Sequence, residues 1–115
     1  MKTYKPDKKT DDLFNTILGL KNLTEARAFF RDLCTLKELK DLSERWEIVK
    51  MIERGIPYRE IAEKLKVSTT TVSRVALWLN NGAGGYRLML DRLNLKTADK
   101  HHTNSSFGKG LRVYN

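Results

Sequence analysis

Apolar residues recur at spacings of three and four along most of this chain, and the punctuation between them marks out six helices. Thr10 with Asp11 and Asp12 reads as an N-cap and acidic first turn, followed by Leu13, Phe14, Ile17 and Leu18, which predicts a helix over about 11–20. Thr24 is positioned to cap a second, with Ala26, Phe29, Phe30 and Leu33 as its stripe. Thr35 to Glu38 has the T-x-x-E form of a capping box, so a third helix should start there. Leu36, Leu39, Leu42, Trp46, Val49, Met51 and Ile52 carry it to Arg54, where Gly55 supplies the stop. Pro57 suits the first turn of a short fourth helix over 57–65. A fifth is predicted from Ser68 to about Leu79, closed by Asn80, Asn81 and Gly82, and a sixth from Tyr86 to about Leu95. No strand-like alternation interrupts this series, which predicts an all-α domain over 11–95, a flexible N-terminal arm over 1–10 and a basic tail over 96–115.

One stretch goes against local propensity. VSTTTVSRV, Val67 to Val75, puts three β-branched threonines where a helix must begin, although their hydroxyls compete with the helix for backbone hydrogen bonds. The surrounding residues supply a reason. From Tyr58 to Leu77 the residue types fit a helix-turn-helix of about twenty residues. Ile61 and Leu65 face inward on the first helix, and Ala62 is the small residue that lets the second approach. Val67 plugs the turn, and Val72 with Val75 seat the second helix. Lys66 stands where the turn usually has glycine, and lysine can take a left-handed conformation at a small cost. With Val72 and Val75 inward, Thr69, Thr70, Ser73 and Leu77 lie on the outer face. The first turn of such a helix is the part that enters a major groove, where hydroxyls can bond phosphates or base edges and threonine methyls can meet the thymine methyl.

Charge strengthens this reading. The 115 residues carry a formal charge of +8, which suits a polyanionic partner. Between Arg54 and Leu79 the basic residues Arg54, Arg59, Lys64, Lys66 and Arg74 outnumber Glu60 and Glu63, a local net of +3. A basic helix-turn-helix has the electrostatics to dock on phosphate through counterion release. Tyr58, Arg59, Lys66, Ser68, Thr69, Thr70, Thr71, Ser73 and Arg74 are accordingly the candidate DNA contacts.

Other chemistry is thin. NNGAGGYR lacks the Gly-Lys-Ser/Thr of a phosphate loop and reads as a helix stop and connector. His101 and His102 are adjacent, a poor spacing for chelation, and no cysteine or carboxylate pair joins them. No Ser-His-Asp, Cys-His or paired-carboxylate arrangement stands out, so neither enzymatic activity nor a metal or cofactor is expected. There is no secretory signal and no apolar run long enough for a bilayer, and the single cysteine, Cys34, reads as a reduced core residue. These features point to the cytoplasm and away from a membrane.

Extended backwards from the helix-turn-helix, the pattern becomes more specific. LKELKDLSERWEIVKMIERGIPYREIAEKLKVSTTTVSRV carries L-x-x-R-x-x-I-V at Leu42 to Val49, R-G at 54 and 55, R-E-I at 59 to 61 and T-V-S-R at 71 to 74. It resembles the Trp repressor family, and within it the short Trp-repressor-like branch of the YerC/YecD type, over about residues 11–95. The resemblance implies a six-helix fold in an intertwined homodimer whose first three helices and last helix interlock. Its two helix-turn-helix units then face successive major grooves about 34 Å apart on a pseudo-palindromic operator. In the family pattern Tyr58 and Arg59 match backbone-contacting positions, and Thr69, Thr70 and Ser73 match groove-contacting ones.

The effector site is where the chain departs from that pattern. The two arginines that sandwich an indole in tryptophan-responsive members align with Arg45 and Arg74. The glycine that leaves room for the ring is Val75 here, and the serine that meets the amino group is Trp78. Both changes remove volume, so L-tryptophan is not the expected corepressor, and any small-molecule effector is left unidentified. The expected function is a double-stranded DNA-binding transcriptional regulator, most simply a repressor. The alternatives are a protein-interaction module, or the DNA-binding component of a recombinase or transposase system.

Overall fold

A computed structural model describes residues 5–101, with 94–101 described as backbone alone. Six α-helices follow one another: α1 (Lys8–Ile17), α2 (Leu23–Leu33), α3 (Leu36–Glu53), α4 (Tyr58–Leu65), α5 (Thr69–Asn81) and α6 (Gly85–His101), and no strand occurs among the described residues. The chain divides into two units within α3, 1–41 and 42–115.

In the first unit the helix starts are set by capping groups that differ from those expected. Asp7 caps α1, accepting from the Thr10 amide at 2.7 Å, so the helix starts three residues before the expected 11 and takes up part of the expected N-terminal arm. This hydrogen bond to the ionised carboxylate holds the Asp7 carboxyl below its ordinary range. Likewise α2 is capped by Asn22 and not Thr24, with Asn22 Oδ1 accepting from the Glu25 amide at 2.9 Å while Glu25 Oε1 accepts from the Lys21 amide. In both cases a carbonyl-type acceptor placed a few residues earlier captured the free amides first. The capping box at α3 forms as expected: Thr35 Oγ1 accepts from the Glu38 amide and Glu38 Oε1 from the Thr35 amide, at 3.1 and 2.8 Å. Neither α1 nor α2 has a buried residue, and Phe14, Leu18, Leu23, Leu33 and Leu36 are exposed. Cys34 is a free, half-buried thiol just after α2.

The second unit holds the core, and that core is the seat of α4 and α5. Ile48 and Val49 from α3, Ile61 from α4, and Val72 and Val75 from α5 are all almost completely enclosed, with Met51, Ala62, Leu79 and Leu90 around them. Each aliphatic side chain removed from water in this way contributes on the order of 2 kcal/mol. The buried positions on α5, Val72, Val75, Ala76 and Leu79, follow helical spacing, which leaves the opposite face of that helix to solvent. α3 ends in a Schellman turn: Gly55 has φ +83°, its amide donates to the Ile52 carbonyl and the Ile56 amide to the Met51 carbonyl. A side chain at Gly55 meets no neighbour, so glycine is required there by the backbone alone. Gly82 is needed for the opposite reason, because a Cβ there runs into the Trp78 carbonyl.

The expected end of the sixth helix at Leu95 is too early. The α6 backbone continues to His101, since no glycine or proline interrupts Lys96 to His101. Residues 1–4 and 102–115, which include parts of the expected arm and tail, lie outside the described residues.

Candidate nucleic-acid interface

α4 and α5 pack on each other as the sequence predicts, with Ala62 buried in the core and Val67 half-buried against it. The turn itself is a second Schellman motif built without glycine. Lys66 takes φ 57° and ψ 45°, and the Val67 amide donates to the Ala62 carbonyl at 3.1 Å. An L side chain in that region costs about 1 kcal/mol relative to glycine. Lys66→Gly should therefore raise the melting temperature by a few degrees. The same change removes one cation from the face described next, so the slope of log K against log salt should fall by about one. Thermal melts together with salt titrations of a bound duplex check both halves.

The three threonines have different roles. Ser68 Oγ accepts from the Thr71 amide at 3.0 Å and lies 2.9 Å from Thr71 Oγ1. Thr71, half-buried, thus closes the cap with a hydroxyl where a capping box would use glutamate. The first turn of α5 carries no acid, whereas those of α1, α2, α3 and α4 contain Asp11, Glu25, Glu38 and Glu60. The start of α5 is therefore capped without placing a carboxylate where a phosphate would approach. Thr69, Thr70 and Ser73 are exposed, and their hydroxyls make no hydrogen bond within the described residues. Of the candidate contacts on α5, Ser68 and Thr71 hold the helix start, and Thr69, Thr70 and Ser73 are left free to bond something else.

The cations sort in the same way. Lys64 is engaged by Glu60 at 3.5 Å, Lys50 by Glu47 and Lys37 by Asp41. Arg59 at the start of α4, Lys66 in the turn and Arg74 on α5 are exposed and form no ion pair among the described residues. Tyr58, next to Arg59, is 40% exposed. Unneutralised charge and unbonded hydroxyls thus accompany the first turn of α5 and the ends of α4. That is an arrangement able to bind a phosphate backbone and reach base edges.

With this geometry the comparisons with known proteins agree. The family model described as Trp repressor protein matches residues 8–94. The chain belongs to the Trp repressor family. It is 44% identical over 86 residues to the uncharacterized protein YerC of Bacillus subtilis (strain 168), covering 75% of this chain and 83% of that one. Among solved structures, a TrpR like protein from Eubacterium eligens ATCC 27750 superimposes with a TM-score of 0.70 at 46% identity, over 73% of this chain and 87% of the other. A candidate Trp repressor from Staphylococcus aureus gives a TM-score of 0.70 at 43% identity, over 75% and 86%. As a member of the Trp repressor family the chain is a DNA-binding regulator, in a family of regulators and not of enzymes. No helix among the described residues is long and apolar enough to cross a membrane, and no three metal-ligating side chains come together there.

The four positions expected at an effector site differ in burial. Val75 is 1% exposed within the core and Trp78 is half-buried, while Arg45 and Arg74 are exposed. Arg45 lies close enough to Tyr86 to act on its phenol. Burial pushes the Tyr86 pKa up, and the Arg45 charge draws it part of the way back. Trp46 lies against Tyr86 with ring centroids 6.4 Å apart and planes tilted by 33°.

Sequence reasoning missed this aromatic contact and a second feature, the cluster of Arg87, Glu53 and Asp91. Arg87 donates from an Nη to Glu53 Oε2 at 2.8 Å and lies 3.7 Å from Asp91 Oδ1. Glu53, ahead of Asp91, raises the Arg87 pKa further. The Arg87/Asp91 half was visible as an i,i+4 pair. The Glu53 half joins residues 34 apart and left no local signal.

Proposed function

We propose that the protein is a sequence-specific transcriptional repressor that binds double-stranded DNA as a homodimer, with the first turn of α5 in the major groove. The observation that carries this reading is the sorting of side chains on one helix start. Ser68 and Thr71 satisfy each other, while among the described residues Thr69, Thr70 and Ser73 form no side-chain hydrogen bond and Arg59, Lys66 and Arg74 no ion pair. Tyr58, Arg59, Lys66 and Arg74 hold phosphates and fix the register. Thr69, Thr70 and Ser73 read bases. Support for the homodimer comes from the apolar side chains left in solvent, among them Leu18 at 80%, Leu36 at 66% and Leu23 at 63%, which a second copy would cover. Two-fold symmetry then calls for a pseudo-palindromic operator with half-sites about 34 Å apart. Titration of a mixed duplex pool at rising salt tests the reading: a steep linear loss of affinity supports it, and salt-insensitive or absent binding would point to a protein-interaction module.

The repressor works without free L-tryptophan. Val75 belongs to the core and Trp78 is half-buried, so two positions that would have to leave space for an indole are filled by larger side chains. Calorimetric titration of the purified protein with L-tryptophan should show no binding at micromolar concentration, and a micromolar dissociation constant would refute this part of the proposal.

A further inference from the structure

The helix-turn-helix leaves the rest of its unit at two points, the turn after α3 and the turn before α6. Glu53 is the last residue of α3, and Arg87 is the third of α6. Their side chains are linked across those two points at 2.8 Å, with Asp91 3.7 Å from the same guanidinium nitrogen. We propose that Arg87 is a positioning residue for DNA binding: clasped by Glu53 and Asp91, it fixes the two flanks of α4–α5 to each other and so holds α5 in its groove-reading orientation. The inference rests on the DNA-binding role proposed above.

Three features separate this clasp from the surface ion pairs of the same molecule. It joins residues 34 apart in the chain, whereas the Lys37–Asp41, Lys50–Glu47 and Lys64–Glu60 pairs each sit within one or two turns of a single helix. Arg87 and Asp91 are well shielded, at 17% and 15% exposure, and Glu53 less so at 30%, compared with 34% and 40% for Lys50 and Glu47 and 58% and 50% for Lys64 and Glu60. In addition, the Arg87 Nε is buried with no hydrogen-bond partner. A shielded ion pair with an unsatisfied donor is a weak source of net stability, because desolvation offsets most of the attraction, and its use lies in selecting one arrangement of the elements it joins. The apolar core already holds α6 through Leu90. What the clasp adds is direction: a charge-assisted hydrogen bond to Glu53, with the Asp91 carboxylate 3.7 Å from the same nitrogen, tolerates less sliding than aliphatic contacts do. The flank it fixes on the α3 side is the Gly55 turn, where a side chain would meet no neighbouring atom within 4 Å and φ is +83°.

Without the clasp the folded protein should sample misaligned orientations of α4–α5. If the aligned one falls to about a tenth of the population, the dissociation constant rises about tenfold. The test measures affinity for a duplex recovered by selection from a random pool, at a temperature where circular dichroism shows each variant folded, together with amide exchange at Gly55 and Ile56. Arg87→Ala and the milder Glu53→Gln should weaken binding, by about tenfold and about threefold, and speed exchange at both amides. The conservative Arg87→Lys, which keeps a cation between Glu53 and Asp91, should recover part of the affinity missing in Arg87→Ala. Affinity within twofold of the parent in folded Arg87→Ala, or in folded Glu53→Gln where the alanine variant does not fold, would overturn the proposal. Should the parent protein itself select no duplex, the DNA-binding reading fails separately. The clasp is then decided by exchange alone, and unchanged rates at Gly55 and Ile56 would overturn it.

Discussion

Replacing Arg59, Lys66 and Arg74 together by alanine should lower affinity for any duplex by two to three orders of magnitude, on the basis of about 1 kcal/mol for each phosphate no longer held, and should reduce the salt slope by about three. The three are expected to act together because each is exposed and forms no ion pair among the described residues. No ion pair among the described residues has to be broken before they engage phosphate. Lys64 offers an internal comparison. It lies on the same helix as Arg59, but Glu60 neutralises it, so Lys64→Ala should change affinity far less. The loss in the triple variant should be alike for all sequences, since phosphates carry no sequence information. Gel-shift titrations on selected and scrambled duplexes over a range of salt concentrations check both statements, and a loss confined to one sequence would contradict the phosphate role.

The converse is expected of the outer threonines. Changing Thr69 and Thr70 to alanine removes two exposed, unbonded hydroxyls and two methyl groups, and leaves the Ser68–Thr71 cap intact. The helix start should therefore be kept, and alanine is a better helix former at both positions. Thermal stability should stay level or rise slightly. Discrimination between the selected duplex and a scrambled one should fall by ten- to a hundredfold, corresponding to about 1–3 kcal/mol of base readout, while non-specific affinity and salt slope hardly move. Parallel titrations of the two duplexes measure this, and equal losses on both would contradict base reading at these positions.

The part of the molecule that can be read from its sequence is the part fixed by local rules. The α3 capping box, the Gly55 stop, the left-handed Lys66 and the Ser68 cap each depend on residues within a few positions of one another, and each occurs as the pattern predicts. Helical spacing likewise sorts α5 into a buried face of Val72, Val75, Ala76 and Leu79 and an outer face carrying Thr69, Thr70 and Ser73. The misplaced helix starts came from competition between adjacent acceptors. Asp7 and Thr10, or Asn22 and Thr24, are both able to cap, and the choice between them turns on hydrogen-bond geometry that a sequence does not display. The division of labour among the threonines was hidden for a similar reason, because three identical side chains differ only in where the helix points them. The clasp of Arg87 by Glu53, and the contact of Trp46 with Tyr86, required the chain to fold before the partners met.

Whether α5 reads a specific duplex sequence from a two-fold symmetric protein is decided by selecting bound sequences from a random duplex pool with the 115-residue chain. The expected outcome is enrichment of one inverted repeat whose half-sites are centred about one helical turn apart, with the enrichment abolished in the Thr69→Ala, Thr70→Ala double variant. Recovery of a pool no different from the input, or of a single unrepeated site that the double variant selects equally well, would contradict symmetric base reading by α5.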